Sequence, residues 1–227
     1  MRNILNFTGI FFFAISMFFY PTLGAKAQTS EKSDNKIYFQ MAIGATTYKG
    51  KNFELGLQTV IKNKWSATAS YQHLSMDPSN LPADYQPESG IVFLIPYTNK
   101  ITVNMNCFNL SAGKYFQMGR NSWFTAEAGL SVVSGQRASF KPASPVSSDP
   151  ILIFFLTSTT SSNYTTSIEN KTSLGGIVRA DANWALTSFL GLGAGVFANI
   201  NSIQSPIGLN IKLTLGDMGK SPKKKNR

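Results

Sequence analysis

The chain of 227 residues is poor in the residue types that build metal centres and redox sites. It contains one cysteine, Cys107, and one histidine, His73. A single cysteine excludes an intramolecular disulfide, and the two residues together cannot supply the ligand set of a zinc site. The sequence also has no glycine-rich phosphate loop and no zinc-ligand spacing. We therefore expect neither a metal nor a cofactor.

Charged residues are also scarce, making up 14% of the chain, although the formal net charge is +10. Much of this excess lies at the two ends of the chain. Arg2 and Lys26 lie in the N-terminal segment, and five more basic residues lie in the C-terminal tail: Lys220, Lys223, Lys224, Lys225 and Arg227. The region between has no basic stripe and no aromatic platform among its basic residues, so we expect no nucleic-acid partner.

Long apolar runs are absent except near the N terminus. There, Arg2 precedes the apolar stretch 10–20, which is followed by the small-residue site Ala25-Lys26-Ala27. This order is typical of a secretory signal peptide, here cleaved near Ala27. A single-pass anchor is the alternative, but the run is shorter than the roughly 20 residues that a spanning helix needs. No later segment is long and apolar enough for such a helix, so the mature chain can span a membrane only with strands.

The remaining chain consists of segments in which apolar and polar residues alternate. The alternation is clearest in 190–200 and 207–215, where aliphatic residues occupy every second position. A period of two predicts strands with one apolar and one polar face. Eight such segments predict an all-β fold, an antiparallel up-and-down barrel. They cover about 37–48, 53–60 and 65–74, begin near 101, 123 and 172, and end with the two C-terminal segments.

The fourth segment contains a local irregularity. Ile101, Val103 and Met105 alternate with polar residues, and the phase then changes between Cys107 and Leu110. A change of phase within one strand is typical of a β-bulge. We therefore predict a bulge at this point, and we place Cys107 on the outer, apolar face.

The connections between the segments fall into two classes. Short turns join segments 2–3, 4–5 and 6–7, whereas residues 76–100 and 137–170 form two long loops. An even-stranded membrane barrel has this plan, with its short turns at one membrane surface and its long loops at the other. Trp65, Trp123 and Trp184 each lie beside a short turn. This position predicts an aromatic girdle at one membrane interface.

In alternation, turn plan and tryptophan placement, residues 36–216 resemble the small outer-membrane β-barrel families of Gram-negative bacteria, in a style similar to Bacteroidota. The resemblance implies a transmembrane barrel in the outer membrane, inserted by the barrel assembly machinery and in contact with lipid and lipopolysaccharide. It divides the chain into a signal peptide (1–27), a leader (28–35), the barrel (36–216) and a basic periplasmic tail (217–227). A secreted soluble barrel of the lipocalin kind also alternates, but its water-facing strands would carry more charge.

The polar face of the predicted strands carries few charged residues. If that face points inward, they can meet across the lumen, where an unpaired charge is costly. The predicted lumen network consists of Glu54, Glu127, Arg179, Asp181 and Lys212. Eight strands enclose a space that side chains largely fill, which favours a structural plug. A narrow pore for small solutes is the alternative.

His73 and Ser75 are two residues apart on the third predicted strand and therefore share one face. An imidazole beside a hydroxyl can activate it as a nucleophile. The pair is similar to the His-x-Ser pair of outer-membrane lipid A deacylases, which also use a carboxylate, and Asp77, Asp84 or Glu88 could supply it here. The alternative is a histidine at a strand end with no catalytic role.

Both long loops contain an apolar run, 90–95 in the first and 151–156 in the second. These runs are interpreted as strand extensions that pair with each other above the membrane, or as exposed patches that bind an extracellular partner. We expect an outer-membrane barrel with a structural or surface-interaction role and no catalytic activity. An enzyme acting on envelope lipid through His73 and Ser75 is the alternative.

Overall fold

The computed structural model describes residues 35–92, 95–143, 158–160 and 162–218. These residues form strands only, and the strands are numbered here in chain order. They are β1 (Lys36–Thr46), β2 (Gly50–Ile61), β3 (Trp65–Met76), β4 (Glu88–Val92), β5 (Ile95–Asn99), β6 (Val103–Gln117), β7 (Ser122–Pro142), β8 (Ser158–Thr160), β9 (Tyr164–Ala185), β10 (Leu190–Ile200) and β11 (Ile207–Gly216).

Eight of the strands form one closed antiparallel barrel, which confirms the predicted fold. Each barrel strand pairs with its neighbour along the chain, and β1 pairs with β11 to close the sheet. The order around the barrel is β1, β2, β3, β6, β7, β9, β10, β11. The short strands β5, β4 and β8 form a separate three-stranded sheet within the long connections.

The barrel wall is apolar outside and largely polar inside. Outward side chains such as Leu110, Leu174 and Ile211 are 67%, 81% and 65% exposed. The inward side chains between them are small or polar, as at Thr68 and Ser131. Water would penalise so much exposed apolar surface, whereas lipid would not, so this wall is that of a transmembrane barrel. In the part of the chain that the structure describes, no helix has the length and apolarity needed to cross a membrane.

The two ends of the barrel differ in the length of their connections. At the short-turn end, residues 62–64, 118–121 and 186–189 join consecutive strands. Lys62 and Asn63 there have φ values of 52° and 51°, and the amide of Lys64 donates to the Ile61 carbonyl, so both central residues of this tight turn are left-handed. At the long-loop end lie the connections 77–102 and 143–163, together with the shorter links 47–49 and 201–206.

The second predicted loop, 137–170, is partly strand. Strand β7 continues to Pro142 and pairs without interruption with β9, which begins at Tyr164. The β7–β9 hairpin therefore rises beyond the rest of the wall, since β6 pairs with β7 only as far as Gly135. Threonine, which is frequent in the second half of this segment, is β-branched and common in strands.

The apolar run 90–95 of the first loop belongs to the hairpin of β4 and β5. Strand β4 also pairs with β8, so the two long connections meet in one sheet. That the two apolar runs pair with each other stays a prediction. The second apolar run, 151–156, lies outside the described residues. So do the predicted signal peptide, the leader before Asn35 and the tail beyond Met218, and these stay predictions.

Strand β6 contradicts two predictions. Its register is continuous with both neighbours, β3 and β7, so no bulge interrupts it. Val103, Met105 and Cys107 are fully buried on the inner face of the barrel, in the same phase as Asn109. Cys107 therefore does not lie on the outer face. The hydrophobic pattern changes along β6 because its surroundings change, not because its backbone does.

Substitutions at two neighbouring residues of β10 test which face of the strand is inward and which is outward. Gly195 faces inward, where an added Cβ would collide with the Asp181 carboxylate, whereas Ala194 faces outward. We expect Gly195→Val to lower the free energy of unfolding by at least about 1–3 kcal/mol, because the interior is already filled. Ala194→Val, which introduces the same side chain on the lipid side, should have little effect. Urea unfolding in lipid vesicles measures both, and equal losses would contradict the assignment of faces.

Candidate functional site

The five charged residues of the predicted lumen network all lie inside the barrel, each less than 5% exposed. Two ion pairs cross the interior between strands. Arg179 Nη2 lies 2.7 Å from Glu54 Oε1, and Lys212 Nζ lies 2.6 Å from Asp181 Oδ2. The structure thus brings four of the five into direct pairs, as buried charges require.

Glu127, the fifth charged residue, is held by neutral donors. Its Oε1 accepts hydrogen bonds from Gln58 Nε2 and Thr68 Oγ1, both at 3.0 Å. Its Oε2 accepts one from Ser111 Oγ at 2.7 Å. The ion pairs and hydrogen bonds of the network therefore join six of the eight barrel strands: β2, β3, β6, β7, β9 and β11. That it acts as a structural plug stays a prediction.

At the short-turn end the interior is closed by a cluster of aromatic and aliphatic side chains. Trp123 is one of them, only 3% exposed, and it stacks on Tyr38 with ring centroids 5.6 Å apart. The girdle prediction is therefore wrong for Trp123. Its phase already carried the signal, since it shares a face with the inward residues Thr125 and Glu127. The whole cluster is Tyr38, Val60, Tyr115, Trp123, Ala185 and Met218.

The other two tryptophans do face outward beside short turns. Trp65 and Trp184 are 51% and 50% exposed. The Lys114 ammonium group lies 3.4 Å from the centre of the Trp65 ring, a cation–π contact of the kind that suits a membrane interface. That these two rings form part of an interfacial girdle stays a prediction.

At the long-loop end a second apolar cluster fills the barrel. It contains side chains from β3, β6, β7 and β10 and from the link 201–206, and every member is less than 10% exposed. The described interior is thus closed at both ends, with the charged network between the two apolar layers. The members are Leu74, Met76, Val103, Met105, Cys107, Val133, Ala138, Phe197 and Ile203.

The predicted pair His73 and Ser75 lies on the outward face of β3 near the long-loop end. The group bound to His73 is Asn106, which lies directly opposite on β6. The distance from His73 Nδ1 to Asn106 Oδ1 is 2.8 Å, and the Tyr71 hydroxyl donates to the same oxygen at 2.7 Å. Asn106 was missed from the sequence because it is remote along the chain and is not acidic.

The three acids suggested as partners of His73 lie elsewhere. Asp77 pairs with Lys100 at 3.0 Å. Asp84 accepts a hydrogen bond from the Tyr164 hydroxyl at 2.9 Å, and this bond raises the pKa of Tyr164 above its usual range. Glu88 lies in the separate sheet, on β4. Within the described ranges, no three histidine, cysteine or acidic residues group as a metal site would require.

The first long connection is fastened to the β7–β9 hairpin above the barrel. The Tyr85 ring contacts Phe140 and Tyr164, with centroids 5.6 Å and 6.3 Å apart. Asn163 Nδ2 donates to the Asp84 carbonyl at 2.8 Å, and Asn80 Nδ2 donates to a β7 carbonyl at 2.9 Å. These contacts cover the edge of β7 that β6 leaves unpaired.

The Lys212–Asp181 pair gives a test of the network. We expect Lys212→Met to destabilise the barrel by about 3–5 kcal/mol, because it removes the cation that binds the buried Asp181 carboxylate directly. The double variant Lys212→Met/Asp181→Leu should recover most of that loss, since neither charge remains. Urea unfolding of both variants measures the coupling. A double variant less stable than the single one would show that the pair is not the dominant interaction.

Several solved outer-membrane proteins are similar to this chain. The N-terminal β-barrel domain of Pseudomonas aeruginosa OprF matches with a TM-score of 0.48 and 9% identity, over 82% of this chain and 99% of that domain. Neisserial surface protein A matches with a TM-score of 0.48 and 13% identity, over 81% and 97%. Ail of Yersinia pestis matches with a TM-score of 0.45 and 9% identity, over 80% and 96%. No protein-family model and no curated protein matches the sequence.

Proposed function

We propose that this protein is a closed outer-membrane β-barrel that presents a strand edge above the membrane for binding an extended segment of another protein. The observation that carries the proposal is the outer edge of β9. Its outer-membrane location rests on the predicted signal peptide and on a wall that crosses lipid with strands alone. The short-turn end then faces the periplasm and the long-loop end faces the cell exterior.

The filled interior supports a role outside the lumen. Tyr38 and Trp123 close one end, and Leu74 and Met105 help to close the other. Four of the five charges between them form ion pairs, and the fifth is held by neutral donors. A conducting pore needs a continuous polar path, and buried apolar layers at both ends interrupt one. The surface above the membrane is therefore the better candidate for the function.

The β9 edge, residues 166–172, is paired on one side only. One edge of β9 pairs with β7 as far as Tyr164. The opposite edge pairs with β10, but this pairing ends at Gly176, opposite Ile200. No other strand of the described residues pairs with that edge beyond this point. The residues from Ser167 to Thr172 are all exposed, and Ile168 is 49% exposed.

The backbone hydrogen bonds between β7 and β9 show which residues of β9 bond to β7 and which point the other way. The amide of Ala143 bonds to the carbonyl of Asn163, and the amide of Ala185 bonds to that of Asn121, so odd-numbered residues of β9 bond to β7. Backbone groups alternate in direction along a strand. The even-numbered residues of the edge therefore point their amides and carbonyls away from β7, where an added strand could bind them. These residues are Thr166, Ile168, Asn170 and Thr172.

The side chains of the β9 edge indicate which kind of segment it accepts. Glu169 and Lys171 lie 3.4 Å apart and neutralise each other. The other side chains, apart from Ile168, are uncharged and polar. A strand added here gains its affinity from backbone hydrogen bonds and needs no charge of its own. We therefore propose an uncharged, extended segment of an extracellular protein as the partner.

A closed lumen predicts silence in electrical recordings. Purified protein should insert into planar bilayers and give no steady single-channel conductance at physiological salt, because both apolar layers block water and ions. Folding is checked in the same sample by the shift in gel mobility that a barrel shows when boiled. Steady conductance from the folded protein would contradict the closed interior.

Cross-linking in living cells tests the β9 edge. A photoreactive amino acid at Asn170 should give an adduct with an extracellular protein, whereas the same group at lipid-facing Leu130 should give none. Thr166→Pro should abolish the adduct, because proline removes an amide that points away from β7 without breaking the ladder. Thr166→Ala, which keeps the amide, should preserve it.

An adduct that persists in Thr166→Pro would show that the partner does not bind as an added strand. Absence of any adduct at Asn170 in surface-exposed, folded protein would overturn the proposal.

A further inference from the structure

We infer that the β9 edge of one copy of this protein pairs with the β9 edge of a second copy in a facing membrane, so that the protein joins the outer membranes of neighbouring cells. The inference rests on the proposed function, because it uses the same edge and names a partner for it. Its basis is that residues 168–172 are complementary to themselves when two copies of the strand run antiparallel.

The backbone of the edge can form an antiparallel ladder with its own copy. The even-numbered residues point their amides and carbonyls away from β7. In an antiparallel pair, two such residues that lie opposite each other exchange both hydrogen bonds. A two-fold axis through Asn170 places Asn170 opposite its copy and Ile168 opposite Thr172 of the second copy. Each of these residues has outward backbone groups, so every bond of the ladder has a donor and an acceptor.

The charged side chains of the edge fit the same axis. Glu169 and Lys171 lie on either side of Asn170, so each is placed opposite the other in the second copy. Their side chains are 59% and 45% exposed. On β7, Arg137 lies opposite Glu169. Each Glu169 carboxylate would therefore lie between two cations, Arg137 of its own copy and Lys171 of the second copy, and opposite charges across strands stabilise the pairing.

The same charges disfavour the neighbouring registers. The outward backbone groups also match when the axis passes through Glu169 or through Lys171. The first of these axes places two glutamates directly opposite each other, and the second places two lysines opposite each other. Like charges in that position destabilise an antiparallel pair. Among these three registers, only the one centred on Asn170 matches both the backbone groups and the charges.

The remaining contacts fix the length of the paired segment. Ile168 and Thr172, which lie opposite each other, are both β-branched and pack well across strands. Beyond Thr172 the link 201–206 adjoins β9, since Ser202 Oγ lies 2.8 Å from Ser173 Oγ. The ladder between the two copies therefore covers residues 168–172 of each.

Antiparallel pairing determines where the second copy lies. In every copy β9 runs from the long-loop end at Tyr164 to the short-turn end at Ala185. Two copies in one membrane have β9 strands that descend in the same direction, whereas a copy in a facing membrane is inverted and its β9 runs the opposite way. Asn170 lies about 20 Å along β9 beyond Gly176, where the pairing with β10 ends. The paired edges therefore lie between two membranes.

A second copy also meets the requirements for a partner of the β9 edge. Its edge is extended and lies outside the cell, and its two charges cancel. The ladder is short, so a single pair of copies binds weakly. Many copies on two apposed membranes bind together, and such multivalency raises the overall affinity by about 10²–10⁴-fold.

Clustering of vesicles tests the pairing. Purified protein is reconstituted into phospholipid vesicles that carry either a donor or an acceptor fluorophore, and energy transfer reports contact between vesicles. Vesicles with the natural protein should cluster. Glu169→Lys and Lys171→Glu should each lower clustering about 10-fold or more, because like charges then lie opposite each other. Lys141→Glu, the same charge change on β7 away from the edge, is the matched control and should cluster normally.

Mixing the two variants separates lost pairing from lost folding. Vesicles with Glu169→Lys should cluster with vesicles that carry Lys171→Glu, because one variant has two lysines at these positions and the other has two glutamates. The double variant Glu169→Lys/Lys171→Glu should cluster with itself and not with the natural protein. All variants should show the heat-dependent gel shift of a folded barrel. Natural clustering by either single variant alone, or no clustering in the mixture, would overturn the inference.

Cross-linking between cells distinguishes this inference from the proposed function. Cells with a photoreactive amino acid at Asn170 are mixed with cells that express an epitope-tagged natural copy, and the adduct should contain the tag. An adduct with a different protein, together with vesicles that do not cluster, would rule out the second copy and leave the β9 edge as a binding site. Absence of any adduct at Asn170 in folded, surface-exposed protein would overturn both proposals.

Discussion

The pairing of charges inside a closed eight-stranded wall is the constraint on which the rest of this structure depends. Eight strands enclose a space about as wide as the side chains that fill it. Arg179 and Lys212 can be buried there only because Glu54 and Asp181 meet them across the lumen. The Asp181 carboxylate in turn requires a glycine at position 195 of the neighbouring strand, where a Cβ would collide with it. The closed wall therefore holds Arg179 and Lys212 only as members of ion pairs, with a glycine beside one of the pairs.

A filled interior moves the possible functions to the outside of the barrel. In the described residues, a buried apolar cluster lies at each end of the lumen, above and below the polar network. Two outward features remain that the wall itself does not need. One is the β9 edge, whose backbone groups point away from the sheet, and the other is the patch around His73 and Asn106.

The predictions of a bulge in β6 and of an outward Cys107 were wrong because the environment inside the barrel changes along this strand. In β6, Asn109 and Ser111 face a polar lumen, whereas Val103, Met105 and Cys107 fill an apolar cap on the same inner face. A change from polar to apolar in one phase looks like a bulge in the sequence. The girdle prediction was wrong for Trp123 because proximity to a turn does not decide which face a residue occupies. In the alternation of β7, Trp123 shares the inward face with Glu127.

The sequence alone determined the number of barrel strands, the positions of the short turns and the division of each strand into an apolar face and a polar face, which places the five charges together on the polar side. The strands and their two faces follow from the period of two, which can be seen within each short segment of sequence. Only the tertiary structure decided which charges pair, how far β7 and β9 extend, and that Asn106 binds His73. Those facts depend on register between strands, and register brings together residues such as His73 and Asn106 that lie 33 positions apart. No local pattern encodes that distance.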